Sequence, residues 1–204
     1  MLSGIVNAVP APACTGSGWE LAIERLGLQV ADAKTRTYSR YQVYHLGKAQ
    51  PVLSGYMCEP NGPGDNANEG SGRRVGPGRY PVWTQFGRYR SIGYGPHTAT
   101  PGVGPMPGFR LAQTGQRTDI LVHPAHPPDL FLVSVGCFNP TGPLGPLGLM
   151  DYWDSRDRVI ALLDDLRIHA PRAFSQEVMT PVADAWVVVT GEPMNVLSAA
   201  RDVG

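Results

Sequence analysis

The stretch that decides how this chain is read runs from Asp119 to Phe138, D-I-L-V-H-P-A-H-P-P-D-L-F-L-V-S-V-G-C-F. A short apolar run, Ile120-Leu121-Val122, ends in His123. After a proline-rich break a second apolar run, Leu130–Val135, leads into Gly136-Cys137. The first run reads as a strand, paired with Gly108–Gln113 around Gly115. A thiolate is a strong nucleophile, and a nearby imidazole lowers the thiol pKa or takes its proton. Cys137 is therefore the candidate nucleophile, and His123, fourteen residues earlier, the candidate base. His126 is the alternative base. Gly136 supplies the close approach or unusual backbone angle that such a turn needs. The N–H groups of Cys137 and its neighbours would then face a developing oxyanion, with Ser134 hydrogen-bonding inside the turn.

Plainer readings stand beside these. A cysteine flanked by apolar residues is most often an inert buried thiol, and a strand-end histidine is often simply hydrogen-bonded. His123-x-x-His126 invites a metal, yet no third ligand stands out, so no metal and no cofactor is assigned. His97 reads as a loop residue and Arg73-Arg74 as a solvated pair.

Outward from this stretch, composition sets the class. At 204 residues the chain fits one domain, or one domain with a small appendage. Lys plus Arg and Asp plus Glu number 17 each, so no global charge argues for nucleic acid or an anionic membrane. Charged residues make up only 17%, while Gly (25) and Pro (20) are abundant, which favours a mainly β, loop-rich domain over a helical bundle. No run of about 18 apolar residues exists to span a membrane. The three cysteines, Cys14, Cys58 and Cys137, make neither a disulfide framework nor a zinc signature. One bridge at most is expected, and Cys14–Cys58 is the pairing that leaves Cys137 free.

In chain order, residues 1–18 read as a loose N-terminal segment, without the basic start of a signal peptide and broken by Pro10 and Pro12. Trp19–Leu28 fits strand and helix about equally. Tyr38–Leu46 and Val52–Cys58 read as a hairpin, Glu59–Gly78 as a long loop suited to a lid or a mobile surface, and Arg79–Gln85 as an edge strand because of Pro81. Asn139–Gly148 is expected to lack regular structure, since repeated Pro and Gly interrupt any ladder. An amphipathic helix follows, capped by Asp154 or Ser155, with Val159, Ile160, Leu162, Leu163 and Leu166 on its apolar face. Val182–Thr190 is the final strand. Residues 19–204 thus form a single domain with a core over 38–142 and a helix-and-strand extension over 150–190.

The strand-end His123 followed by Ser134-x-Gly136-Cys137, with Gly76-Pro-Gly-Arg-Tyr-Pro-Val82 upstream, resembles the L,D-transpeptidase catalytic domain. Closer still is the likeness to a phage and bacterial domain family of unknown function regarded as related to it. That likeness is carried by Met57-Cys58-Glu59-Pro60, Pro107-Gly108-Phe109 and Gly136-Cys137, and spans roughly Tyr41 to Gly142. The resemblance implies a β-sandwich or barrel-like fold. It also implies a thioester on Cys137 formed from a peptidoglycan stem peptide and resolved by an amine (transpeptidation) or by water (carboxypeptidase or endopeptidase action). With no export signal, it further implies a phage protein or an antibacterial effector delivered by a type VI-like route to the periplasm or cell wall, with an immunity or delivery protein as partner. The chain departs from the family in having Pro124 rather than Gly after His123, and Phe138-Asn139-Pro140 where an arginine is usual. A non-catalytic module on the same fold, binding cell wall or protein, is the alternative.

Overall fold

The computed structural model describes residues 13–197. Ten strands, one α-helix and a short 3-10 helix (Pro171–Phe174) account for its regular structure. In chain order the strands are β1 (Trp19–Ala31), β2 (Lys34–His45), β3 (Lys48–Pro60), β4 (Gly78–Thr84), β5 (Tyr89–Arg90), β6 (Met106–Pro107), β7 (Phe109–Leu111), β8 (Leu121–Val122), β9 (Asn139–Thr141) and, after helix α1 (Tyr152–His169), β10 (Pro181–Thr190). Eight strands form one sheet in the order β8-β7-β4-β10-β1-β2-β3-β9, while β5 and β6 pair separately. The mainly β fold with one helix and a final strand agrees with the composition.

The sheet curls until its ends meet. Val122, at one end, bridges Phe138, the residue just before β9 at the other. Two backbone bonds make the closure, His123 N–H to the Phe138 carbonyl at 3.0 Å and Phe138 N–H to the Leu121 carbonyl at 2.8 Å. The result is a nearly closed barrel-like sheet, which leaves few unpaired edges.

Alternation along the strands selects the core. Trp19, Leu21 and Ile23 of β1, Tyr41 and Val43 of β2, and Val187 and Val189 of β10 turn inward. They merge with the buried face of α1, formed by Val159, Leu162, Leu163 and Leu166. Trp19–Leu28, ambiguous by pattern, is strand because β10 and β2 flank it on both sides. β10 lies in the middle of the sheet between β4 and β1, so the terminal strand completes the barrel instead of extending it. Among the described residues no helix is long and apolar enough to cross a membrane.

Several local expectations are corrected. Asn139–Thr141 is a strand despite its proline, because Pro140 stands opposite Met57 in a segment so short that its missing N–H interrupts a single position. The helix starts earlier than Asp154. Asp151 is its cap, accepting the Asp154 N–H at 2.8 Å, while the Asp154 carboxylate is engaged by the Gly142 N–H and by Arg158. Arg74 is not solvated but fully buried. It donates to Thr37 Oγ1 (2.9 Å), to Glu192 Oε1 (2.6 Å) and to the Pro193 carbonyl (2.9 Å), and so fastens the 61–77 loop to the barrel end. All three cysteines are free, Cys14 exposed and Cys58 buried, so the Cys14–Cys58 bridge does not form. Residues 1–12 of the expected loose segment lie outside the described residues, and residues 13–18 carry no strand or helix before β1.

Candidate functional site

The barrel closure also puts Cys137 and His123 on neighbouring segments. In the parallel register set by Val122 and Phe138, Cys137 falls beside Leu121, and Asn139 beside His123. Cys137 and His123 therefore flank the Val122–Phe138 bridge on neighbouring segments, although His123 does not line the pocket that Cys137 opens onto. The thiol spends its hydrogen bonds on the closure: Sγ donates to the Asp119 carbonyl and accepts from the Leu121 N–H, each at 3.4 Å. No hydrogen bond joins it to either histidine among the described residues. Ser134 acts as read from the sequence, its hydroxyl donating to the Cys137 carbonyl at 2.7 Å to tie the turn.

Gly136 lies close against two side-chain ends. A Cβ there would run into Arg117 Nη2 and would lie 2.8 Å from Ile120 Cδ1. Beyond the turn, Cys137 lines a pocket of about 230 Å3 with Gly136, Ile120, Arg117, Asp119 and Glu69. Glu69 belongs to the 61–77 loop, so that loop forms a wall of the cysteine pocket.

The two histidines share one device. Each is followed by a proline, and each Nδ1–H donates to that proline's carbonyl, His123 to Pro124 at 2.9 Å and His126 to Pro127 at 2.8 Å. This fixes the proton on Nδ1 and leaves Nε2 with a lone pair. At His126 that lone pair accepts the Tyr89 hydroxyl at 2.9 Å. At His123 it has no hydrogen-bond partner among the described residues. Between these two candidate bases the geometry therefore favours His123.

His123 is held on every side. Asn139 Nδ2 donates to its carbonyl at 3.0 Å, and Tyr89 stacks on its ring. Asn139 Oδ1 is buried with no partner, an unusual state for an amide oxygen beside an imidazole. Electrostatically the resting pair is neutral. Burial drives the His123 imidazole down to about 3, and burial drives the Cys137 thiol up to about 11, against the opposing pull of the Leu121 N–H and Arg117.

Tyr89, Asn139 and Arg117 were not singled out by sequence reasoning. Asn139 was accessible to it, since it lies two residues beyond Cys137 and the pleat returns it to the same face. Tyr89, in β5, and Arg117, in the loop between β7 and β8, are distant in sequence and left no signal. Among the described residues no three His, Cys, Asp or Glu side chains gather as a metal-binding group. His97 lies in the loop between β5 and β6, stacked on Trp153 with ring centroids 4.5 Å apart. No family model, no curated protein and no solved structure matches this chain.

Proposed function

We propose that the chain is a cysteine-dependent acyl transferase or hydrolase of L,D-transpeptidase type, acting on peptidoglycan stem peptides through Cys137. The observation that carries this reading is the closure of the barrel. The bridge is flanked by Cys137, a pocket-lining thiol, and by His123, an imidazole whose Nδ1–H is locked and whose Nε2 is free. The His-x10-Ser-x-Gly-Cys signature supports the substrate class.

The chemistry follows from those groups. As Sγ bonds to the substrate carbonyl carbon, its proton passes to His123 Nε2, and the carbonyl π electrons move onto oxygen. Collapse of that oxyanion breaks the C–N bond, and the imidazolium returns the proton to the leaving amine. The thioester is then resolved by an amine or by water, the histidine again carrying the proton. Cys137→Ala should abolish release or exchange of the terminal residue of a tetrapeptide muropeptide, followed by mass spectrometry. Retained turnover in that variant overturns the reading. Delivery to the cell wall by a type VI-like apparatus or a phage, and pairing with an immunity protein, belong to the same proposal and rest on the resemblance alone.

A specific observation favours one other reading, a binding module in which the thiol is structural. Both hydrogen bonds of Sγ go to the barrel backbone. A protein that is inert on muropeptides yet sediments with intact sacculi would support it.

A further inference from the structure

Arg117 lies in the loop between β7 and β8 and is 4% exposed. Nη1 donates to the carbonyls of Asp65 and Arg73, both at 3.0 Å, and Nη2 to the Val135 carbonyl at 3.1 Å. Its partners are all neutral. Among the described residues no carboxylate forms an ion pair with it, as with the buried Arg36, whereas the buried Arg25 and Arg74 both have carboxylate partners. A buried cation held by carbonyl dipoles alone keeps most of its charge uncompensated. That charge faces the Cys137 turn: the guanidinium abuts Gly136 and lines the same pocket as Cys137.

We infer that Arg117 is a positioning residue for the cysteine, holding the Val135–Cys137 backbone against the 61–77 loop and stabilising negative charge on Sγ as it develops. The guanidinium presents five N–H donors, of which three are fixed by carbonyls. The fork thus anchors two loops at once, and an Nη2–H reaches the turn that no helix dipole serves. Other charges around the thiol are already answered or more distant. Asp119 is largely exposed and pairs with Arg110 at 3.1 Å, Glu69 stands across the pocket, and Tyr89 and His123 are neutral at ordinary pH. Arg117 also lowers the thiol pKa against the burial that raises it. Where the resemblance expects an arginine just after the cysteine, this chain brings one from twenty residues before it.

The inference rests on the reading of Cys137 as a reactive thiol, but its test needs no substrate. In a Cys14→Ser background, alkylation of Cys137 is followed by intact mass from pH 6 to pH 11. Arg117→Gln should raise the apparent thiol pKa and slow alkylation near neutrality about tenfold, the equivalent of one pKa unit. Arg117→Lys, which keeps the charge, should recover most of the rate. A folded Arg117→Gln protein with the wild-type profile overturns the inference. Should Arg117→Gln fail to fold, the unmodified side chain is read directly by comparing anionic iodoacetate with neutral iodoacetamide. An uncompensated cation should raise the iodoacetate-to-iodoacetamide rate ratio at Cys137 at least about threefold over a free thiol, a fraction of the effect of a charge in a cleft. A ratio at or below that of the free thiol overturns the inference. Loss of Cys137 catalysis as a hypothesis would show instead as muropeptide turnover in Cys137→Ala, with these thiol profiles unaffected.

Discussion

The ring of Tyr89 stacks on the imidazole of His123, with centroids 4.1 Å apart and planes inclined by 29°. The same tyrosine reaches His126 through its hydroxyl, so one side chain fixes two imidazoles by different forces, dispersion for the first and a hydrogen bond for the second. Burial raises the Tyr89 phenol to about 12, which keeps it a donor throughout the useful pH range.

This division of labour separates two substitutions. Tyr89→Phe keeps the stack and removes only the bond to His126. Ring-nitrogen NMR should show His126 Nε2 altered and His123 unchanged, with Cys137 alkylation within about twofold of wild type. Tyr89→Leu removes both supports and should perturb both rings.

Stability should fall towards acid. The folded His123 pKa, about 3, lies below its ordinary 6.5, so protons bind preferentially to the unfolded chain between those values. The contribution of neutral His123 is complete above pH 6.5 and is lost as pH falls, at about 1.4 kcal/mol per pH unit. In alkali the sign reverses. Cys137 is raised from 9.0 to about 11 and Cys58 from 9.0 to about 12, so the unfolded chain ionises first and stability declines above pH 9. Urea melts across pH should give a plateau between these limits, and His123→Gln should flatten the acid limb.

Arg25 and Glu59 form a bidentate pair, 2.7 and 2.9 Å, with both side chains fully buried. Breaking a buried pair leaves an unanswered charge, so Arg25→Met or Glu59→Leu alone should cost about 3–5 kcal/mol. The double variant should lose much less than the sum of the two. A double-mutant cycle in denaturant checks this.

Gly136→Ala tests the close approach to Arg117. The added methyl meets the guanidinium and Ile120, so overpacking should destabilise the fold by about 1–3 kcal/mol. It should also disturb the Arg117–Val135 bond, and Cys137 alkylation should change with it. A variant as stable as wild type with unchanged alkylation would show that the turn has room to spare.

Much of the architecture was legible because alternation is a local property. The hairpin of β2 and β3, the strand β10 and the apolar face of α1 each follow from residues within ten or so positions. What escaped was decided by partners far away in sequence. Arg74 reads as solvated until Glu192 and Thr37 close on it, and Pro140 reads as a breaker until β3 supplies the ladder around it. Asp154 reads as a cap because capping residues favour helix starts, yet Asp151 competes three positions earlier and wins the N–H. In the candidate site, Cys137, His123 and Ser134 could be named from spacing and glycine chemistry alone. The neutrality of the Cys–His pair could not, since it comes from burial, and burial belongs to the assembled barrel.

The bridge between Val122 and Phe138 has a dynamic consequence. One residue pair, held by two backbone bonds, closes an eight-stranded sheet, and the thiol and imidazole flank it directly. Few bonds must break for the ends to part, so this joint is where local opening would be expected to start. Any such breathing would pull Cys137 away from His123 before it disturbed the core. The amide of Phe138 is therefore a gauge of competence: its exchange with solvent would count how often the protein, while still folded, has no site at all.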